Sequence, residues 1–232
     1  MNIRGLQKTS LIDYPGKISS TIFVGGCNLR CSYCYNKDLV LRPETLPLFI
    51  EDEVLAFLRK RTSFLDGVCI SGGEPTIQED LPVFIEDIKS LGLKVKLDTN
   101  GMNPELINYL LENDLLDYIA IDIKAPFPKY NLVTGVSVDI TNIKNTIALV
   151  KENMVEYEFR TTIVPALIDK DDIINIAQEL RGSSKMVLQR FIAFSNVQDF
   201  SWDTNELFPP EEIPEVAQQC LKHVSTVELR GF

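Results

Sequence analysis

Val68-Cys69-Ile70-Ser71-Gly72-Gly73-Glu74-Pro75 is a short, partly β-branched apolar run that breaks into two glycines and a carboxylate. A run of this length, bounded by turn formers, reads as a buried strand. The same pattern recurs along the chain. It predicts strands over Thr21–Val24, Val68–Ser71, Val95–Asp98, Tyr118–Ile123, Glu158–Val164 and Met186–Ala193, with a short final strand over Thr226–Leu229. Helical patterns fill the gaps, at Glu51–Arg61, Leu81–Leu91, Pro104–Asn113, Ile140–Glu152, Asp171–Leu180 and Glu211–Val224. Asp139 and the run Asp169-Lys170-Asp171-Asp172 supply caps and first-turn acids for two of them. Strands alternating with helices are the mark of βα units and a parallel sheet. Six such units and a short strand predict an α/β fold, a partial (β/α)6 TIM-like barrel that stays open. We expect one domain over residues 1–232, with a segment 1–20 leading into the barrel and a C-terminal extension from about 196 to 232.

In such a barrel, ligands bind where the strands end, because the loops converge there. Four consecutive strands end in unusual polar residues. The first runs into Cys27-x-x-x-Cys31-x-x-Cys34 and the second into Ser71-Gly72-Gly73-Glu74-Pro75. The third ends in Asp98-Thr99-Asn100-Gly101, and the fourth holds Asp122-Ile123-Lys124. Their shared position predicts one composite site with its opening at the C-terminal ends of the strands.

Three clustered cysteines are one ligand short of a closed metal site. An iron–sulfur cluster on three thiolates leaves one iron open to bind a substrate, whereas four would limit it to moving electrons. Tetrahedral zinc would need a fourth protein ligand, and the single histidine, His223, lies far away in a helical pattern. Gly72-Gly73 alone could make a tight turn; with Glu74 it could also present backbone groups and a carboxylate to a cation. Asp122 and Lys124 occupy alternate positions and so share one face of their strand, which suits an internal ion pair or a ligand contact. Arg160, inside a strand-like run, could pair with an acid or hold an anionic group. Tyr33 and Tyr35 flank Cys34, as loop packing or as a surface for a stacked base.

Composition narrows the partners. With 45% hydrophobic and 24% charged residues the chain reads as an ordinary globule, and no stretch nears the ~20 apolar residues of a membrane span. Thirty-three acidic against 23 basic residues give a net charge of −10, which disfavours nucleic acid as a partner. The opening residues lack the apolar core of a signal peptide, and five cysteines, three of them clustered, suit a reducing compartment. Cys69 and Cys220 fall in apolar or helical patterns and read as structural thiols. A cytoplasmic protein is expected.

The cysteine spacing, with aromatic Tyr33 before the last thiol, resembles the signature of the radical S-adenosylmethionine (SAM) superfamily, and Gly72-Gly73-Glu74-Pro75 its second motif. Nearly the whole chain resembles the glycyl-radical-enzyme activating enzymes, through Asp13-Tyr14-Pro15-Gly16, Asp98-Thr99-Asn100-Gly101 and Asp122-Ile123-Lys124. The opening Gly5 to Lys17 looks most like the longer type of anaerobic ribonucleoside-triphosphate reductase activating protein. The resemblance implies one 4Fe-4S cluster on Cys27, Cys31 and Cys34, its open iron chelated by SAM. It also implies Gly72, Gly73 and Glu74 around the methionyl ammonium, Lys124 and Arg160 near the carboxylate, and a monovalent cation beside Asp98, Thr99 and Asp122. The implied reaction takes an electron from flavodoxin or ferredoxin, cleaves SAM to a 5′-deoxyadenosyl radical, and abstracts hydrogen from a glycine of a partner enzyme. Two features depart from the family: Tyr35 stands where many members have histidine, and Gln189 to Ser195 holds no histidine. The competing functions are a radical SAM enzyme for a small molecule, such as 7-carboxy-7-deazaguanine synthase, and a non-catalytic iron–sulfur electron-transfer protein.

Overall fold

The computed structural model describes residues 1–192 and 210–232. Its elements are, in chain order, β1 (Ile3–Ser10), β2 (Ser19–Val24), α1 (Lys37–Leu41), α2 (Glu51–Arg59), β3 (Gly67–Gly72), α3 (Leu81–Ser90), β4 (Lys94–Thr99), α4 (Pro104–Glu112), β5 (Tyr118–Asp122), α5 (Tyr130–Thr134), α6 (Ile140–Glu152), β6 (Glu156–Ile163), α7 (Lys170–Glu179), β7 (Lys185–Arg190), α8 (Ile213–Cys220) and β8 (Thr226–Arg230). All eight strands form one sheet in sequence order, with β1 and β8 at its two edges. From β2 to β8 every neighbouring pair is parallel, each joined by a helical crossover. The expected open α/β barrel of six βα units plus a final strand is therefore observed. The proposed end of the sixth strand at Ala193 lies outside the described residues, as does most of the loop-like stretch before α8.

One strand escapes sequence reading. Residues 3–10 form β1, which pairs antiparallel with β2. Arg4, Gln7, Lys8 and Thr9 hide the strand pattern because β1 is an edge strand with its middle exposed. The connection over residues 11–18 is also too short for the crossover that a parallel pair demands, so β1 turns back on β2. The expected caps form: Asp139 Oδ1 accepts from the Thr141 N–H at 2.9 Å, and Asp169 and Asp172 make a reciprocal capping box at the start of α7.

The strands have two unlike faces. Val95 and Leu97 of β4, Ile119 and Ile121 of β5, and Phe159 of β6 join the main apolar cluster with the helices. The alternate residues, Lys96 and Asp98, Asp122, and Glu158 and Arg160, point to the opposite face of the sheet, as the two-residue period requires. The inner face of this barrel is thus largely charged, and β5 adds only Tyr118 and Ala120, packed with Tyr14, as an apolar plug.

The ends of β2 and β3 are joined backbone to backbone. The Gly73 N–H donates to Val24 O and the Glu74 N–H to Gly26 O, each at 2.8 Å. A Cβ on Gly73 would lie 1.8 Å from Gly26 O, and one on Gly72, at φ +121°, 2.4 Å from Val24 N. No side chain fits between these two turns. Gly73→Ala is expected to lose about 3 kcal/mol or to prevent folding. Gly92→Ala, where an added Cβ meets nothing within 4 Å at φ +79°, should lose only about 1 kcal/mol to its left-handed backbone. Urea unfolding of both variants checks the difference.

Candidate active site

A chamber of about 320 Å3 opens at the C-terminal ends of β2 to β7, a volume suited to a small-molecule ligand. Its wall includes every candidate drawn from sequence: Cys27, Cys31, Cys34 and Tyr33; Gly72, Gly73 and Glu74; Asp98, Thr99, Asp122, Lys124 and Arg160. The four stretches converge, and Arg160 of β6 adds a fifth.

The cysteine loop leaves β2 at Gly25-Gly26 and is fastened on several sides. Gly26 N–H donates to Leu39 O at 2.8 Å, and Arg30 N–H to Thr134 O of α5 at 2.8 Å. Gly135, at φ +70°, lets that contact close, since a Cβ there would sit 2.6 Å from Arg30 O. Burial pushes the Cys27 thiol up to about 11, against the Leu29 N–H that donates to its sulfur at 3.4 Å. Burial raises Cys31 and Cys34 as well, while the nearby Lys124 charge pulls both down. Among the described residues no three His, Cys, Asp or Glu side chains close around a single metal ion. A four-iron cluster takes one thiolate per iron, so it requires thiols spaced around one chamber, and that is the arrangement of Cys27, Cys31 and Cys34.

Glu74 has a structural task. It is 1% exposed, and its Oε1 accepts from Thr76 N at 3.0 Å, Thr76 Oγ1 at 2.6 Å and Thr99 Oγ1 at 2.7 Å, while Oε2 accepts from Asn100 N at 2.7 Å. Burial raises its pKa against these four donors. The carboxylate therefore braces the end of β3 against the end of β4, mainly through Oε1, while Oε2 carries the single Asn100 donor. Thr99 spends its hydroxyl in the same brace. Asn100, legible only as part of a turn, extends the brace to the cysteine loop through Nδ2 to Asn28 Oδ1 at 2.7 Å.

A ladder of alternating charge runs Lys96, Asp98, Arg160, Asp122, Lys124, and its last four members line the chamber. Lys96 Nζ bonds Asp98 Oδ1; Arg160 spans Asp98 Oδ2 at 3.1 Å and Asp122 Oδ1 at 2.8 Å; Lys124 Nζ reaches Asp122 Oδ2 at 3.1 Å. Burial pushes the Asp122 pKa up, but Arg160 and Lys124 outweigh it and hold the carboxyl well below its usual range. Burial pulls Lys124 down and Asp122 overcomes it, leaving the ammonium charged. The ion pair and the ligand-facing position foreseen for Asp122 and Lys124 thus coexist. The expected monovalent cation does not fit here: each oxygen of Asp98 and Asp122 already has a cationic donor, and Arg160 stands between the two carboxylates.

Tyr33 is 5% exposed and meets Phe191 edge-on, with ring centroids 6.5 Å apart, so it packs the loop. Tyr35 stacks on the same Phe191 at 5.6 Å. Asn36, Thr162, Gln189 and Arg190 also line the chamber. Sequence reading passed over them because no local pattern sets them apart from loop or strand polars.

The model of the radical SAM superfamily matches residues 21–180. A Methanocaldococcus jannaschii protein, provisionally named a glycyl-radical enzyme activating enzyme, is 36% identical over 98% of this chain and 95% of its own. The pyruvate formate-lyase-activating enzyme of Clostridium pasteurianum is 30% identical over 80% of each chain. Among solved structures, Streptococcus suis SuiB bound to its precursor peptide SuiA superposes with a TM-score of 0.70 at 14% identity, over 91% of this chain and 48% of that one, a likeness of fold. The cofactors of the family are a 4Fe-4S cluster and SAM, and the three-thiol chamber suits both. The chain belongs to the radical SAM superfamily and, within it, to the family of the glycyl-radical-enzyme activating enzymes.

Proposed function

We propose that the chain activates a glycyl radical enzyme, with anaerobic ribonucleoside-triphosphate reductase as the partner and flavodoxin or ferredoxin as the electron donor. The observation that carries this reading is the meeting of three thiols with a single ladder of charge inside one chamber. Cys27, Cys31 and Cys34 are assigned to the cluster, with one iron left for SAM. When bound, the cluster supplies the electron that splits the sulfonium of SAM and so readies hydrogen abstraction from a partner glycine. Of the ladder groups that line the chamber, Arg160 and Lys124 balance Asp98 and Asp122. Lys124, at the upper end of the ladder, is the group assigned to receive the ligand carboxylate. Arg160 acts on Lys124 indirectly, by fixing the Asp122 carboxylate that aims the ammonium. The choice of ribonucleotide reductase rests on the likeness of the Gly5 to Lys17 opening. Among the described residues no helix is long and apolar enough to cross a membrane, and the five free cysteines suit the reducing cytoplasm.

Anaerobic reconstitution should give about four irons per chain. SAM should change the paramagnetic spectrum of the reduced cluster, and reductant should then release 5′-deoxyadenosine. Cys27→Ala, Cys31→Ala and Cys34→Ala should each abolish that release. Lys124→Met should retain its iron and bind SAM at least about tenfold more weakly, as for the loss of one charged hydrogen bond. Mixing the loaded protein separately with a reductase subunit and with pyruvate formate-lyase should produce a glycyl radical signal on the first. A signal on the second alone would reassign the partner, and a cluster indifferent to SAM would remove the activity altogether.

The ladder also fixes an acid limb of stability. A carboxyl held low in the folded state stabilises above its unfolded pKa of about 3.9, and that contribution fades as pH falls toward the folded value. Asp122→Asn should be less stable than the parent at pH 7 by roughly 2 kcal/mol, below the full penalty of a buried pair because Asp122 is 29% exposed. In urea unfolding of the cluster-free proteins, this gap should narrow steadily from pH 4 toward pH 2.

A further inference from the structure

We propose that Tyr35 is a positioning residue for the cluster, a latch that holds the third cysteine of the loop against the end of β7. The inference rests on the assignment of Cys34 as a cluster ligand. Tyr35 follows Cys34 directly, and its ring lies nearly parallel to Phe191, at a centroid distance of 5.6 Å and an interplanar angle of 21°. Its hydroxyl oxygen accepts a hydrogen bond from the Ile192 N–H at 2.8 Å, across 157 residues of sequence. On the other side of Cys34, Tyr33 meets the same Phe191 at 90°. The thiol is therefore carried by a turn whose two flanking rings grip one residue of another strand's end.

Phe191 is a firm point of attachment. Its own N–H donates to Ile163 O at 3.2 Å, which extends the β6–β7 pairing beyond the last regular residue. Within the turn, Cys34 N–H donates to Cys31 O at 3.1 Å. A load path thus runs from the sheet through Phe191 and Ile192 into the Cys31–Cys34 turn. The exposures of the two rings divide their roles. Tyr33 is 5% exposed and secures packing; Tyr35 is 40% exposed, and its stacked ring adds packing of its own. What its hydroxyl adds is direction. Groups just outside a metal's ligands set ligand orientation and, through it, the affinity and potential of the centre. The hydroxyl separates this role from stacking, because phenylalanine would keep the ring and give up the hydroxyl's bond to Ile192.

The test uses wild type, Tyr35→Phe and Tyr35→Ala. In the cluster-free proteins, amide hydrogen exchange reads the latch alone. The Ile192 amide should exchange about fivefold faster in Tyr35→Phe, as expected for one lost hydrogen bond, and the Cys34 amide at least tenfold faster in Tyr35→Ala. In the reconstituted proteins, iron content should match wild type in both variants and the unfolding midpoint in Tyr35→Phe, whereas Tyr35→Ala should unfold at a lower midpoint for want of the stacked ring. SAM affinity should fall about threefold in Tyr35→Phe and tenfold or more in Tyr35→Ala, with an altered paramagnetic spectrum of the SAM-bound cluster. Unchanged exchange at Ile192 and Cys34 would overturn the latch whatever the cluster does. Faster exchange with wild-type SAM affinity and spectrum would overturn its positioning role. Equal losses of iron, stability and affinity would reduce the residue to packing. A wild-type cluster that ignores SAM, beside intact exchange effects, would fault the functional assignment and leave the mechanical link in place.

Discussion

The contact between Gly73 and Gly26 holds the site together. Two turns from adjacent parallel strands touch main chain to main chain, and the hydrogen bonds from Gly73 and Glu74 fix their separation. The exit of the cysteine loop from β2 inherits its position from this contact, while Leu39, Thr134 and Phe191 hold the rest of the loop. The Glu74 brace continues it into β4, and the Asn100–Asn28 pair returns from β4 to the loop. The result is a closed circuit of polar and backbone bonds around the cysteine loop, added to the apolar cluster that takes in Leu29, Cys31 and Tyr33 of the loop itself.

Beneath this circuit the inner face of the sheet departs from the usual filling of a barrel, in which layers of branched apolar residues occupy the interior. Here β4, β5 and β6 contribute charges at alternate positions, and the register puts Asp122 directly opposite Arg160. Burial would be costly for any one of these groups alone, and the alternation of sign removes most of that cost. Lower in the barrel, Arg230 on β8 pairs with Glu158, which also accepts from the Tyr118 hydroxyl. The last strand thereby carries an electrostatic role that its half-exposed burial pattern does not advertise.

Much of this was legible in the chain, for reasons that are local. Val68 to Ser71 and Tyr118 to Ile123 announce buried strands by composition, and the cysteine spacing and the Asp122-Ile123-Lys124 alternation are properties of short windows. What stayed hidden depends on distant partners. β1 is obscured by the polar residues of an exposed edge strand. The bonds of Glu74 to Thr76, Thr99 and Asn100 join the ends of β3 and β4 and have no trace in the local pattern. Arg160 could not be placed between two acids without the strand register, and nothing near Tyr35 in sequence points to Ile192. The shape of the site was local information, and the division of labour within it was tertiary.

The charge ladder has a consequence for how such a protein can diversify. Arg160 pairs with both acids, so changing it strips a cation from two carboxylates at once, whereas Asp98 and Asp122 each keep Arg160 when an end lysine is changed. The three inner groups are therefore coupled more tightly than the two lysines that end the ladder. Asp98, Arg160 and Asp122 should change together or not at all, so the lineage's history would be written in covariation among those three.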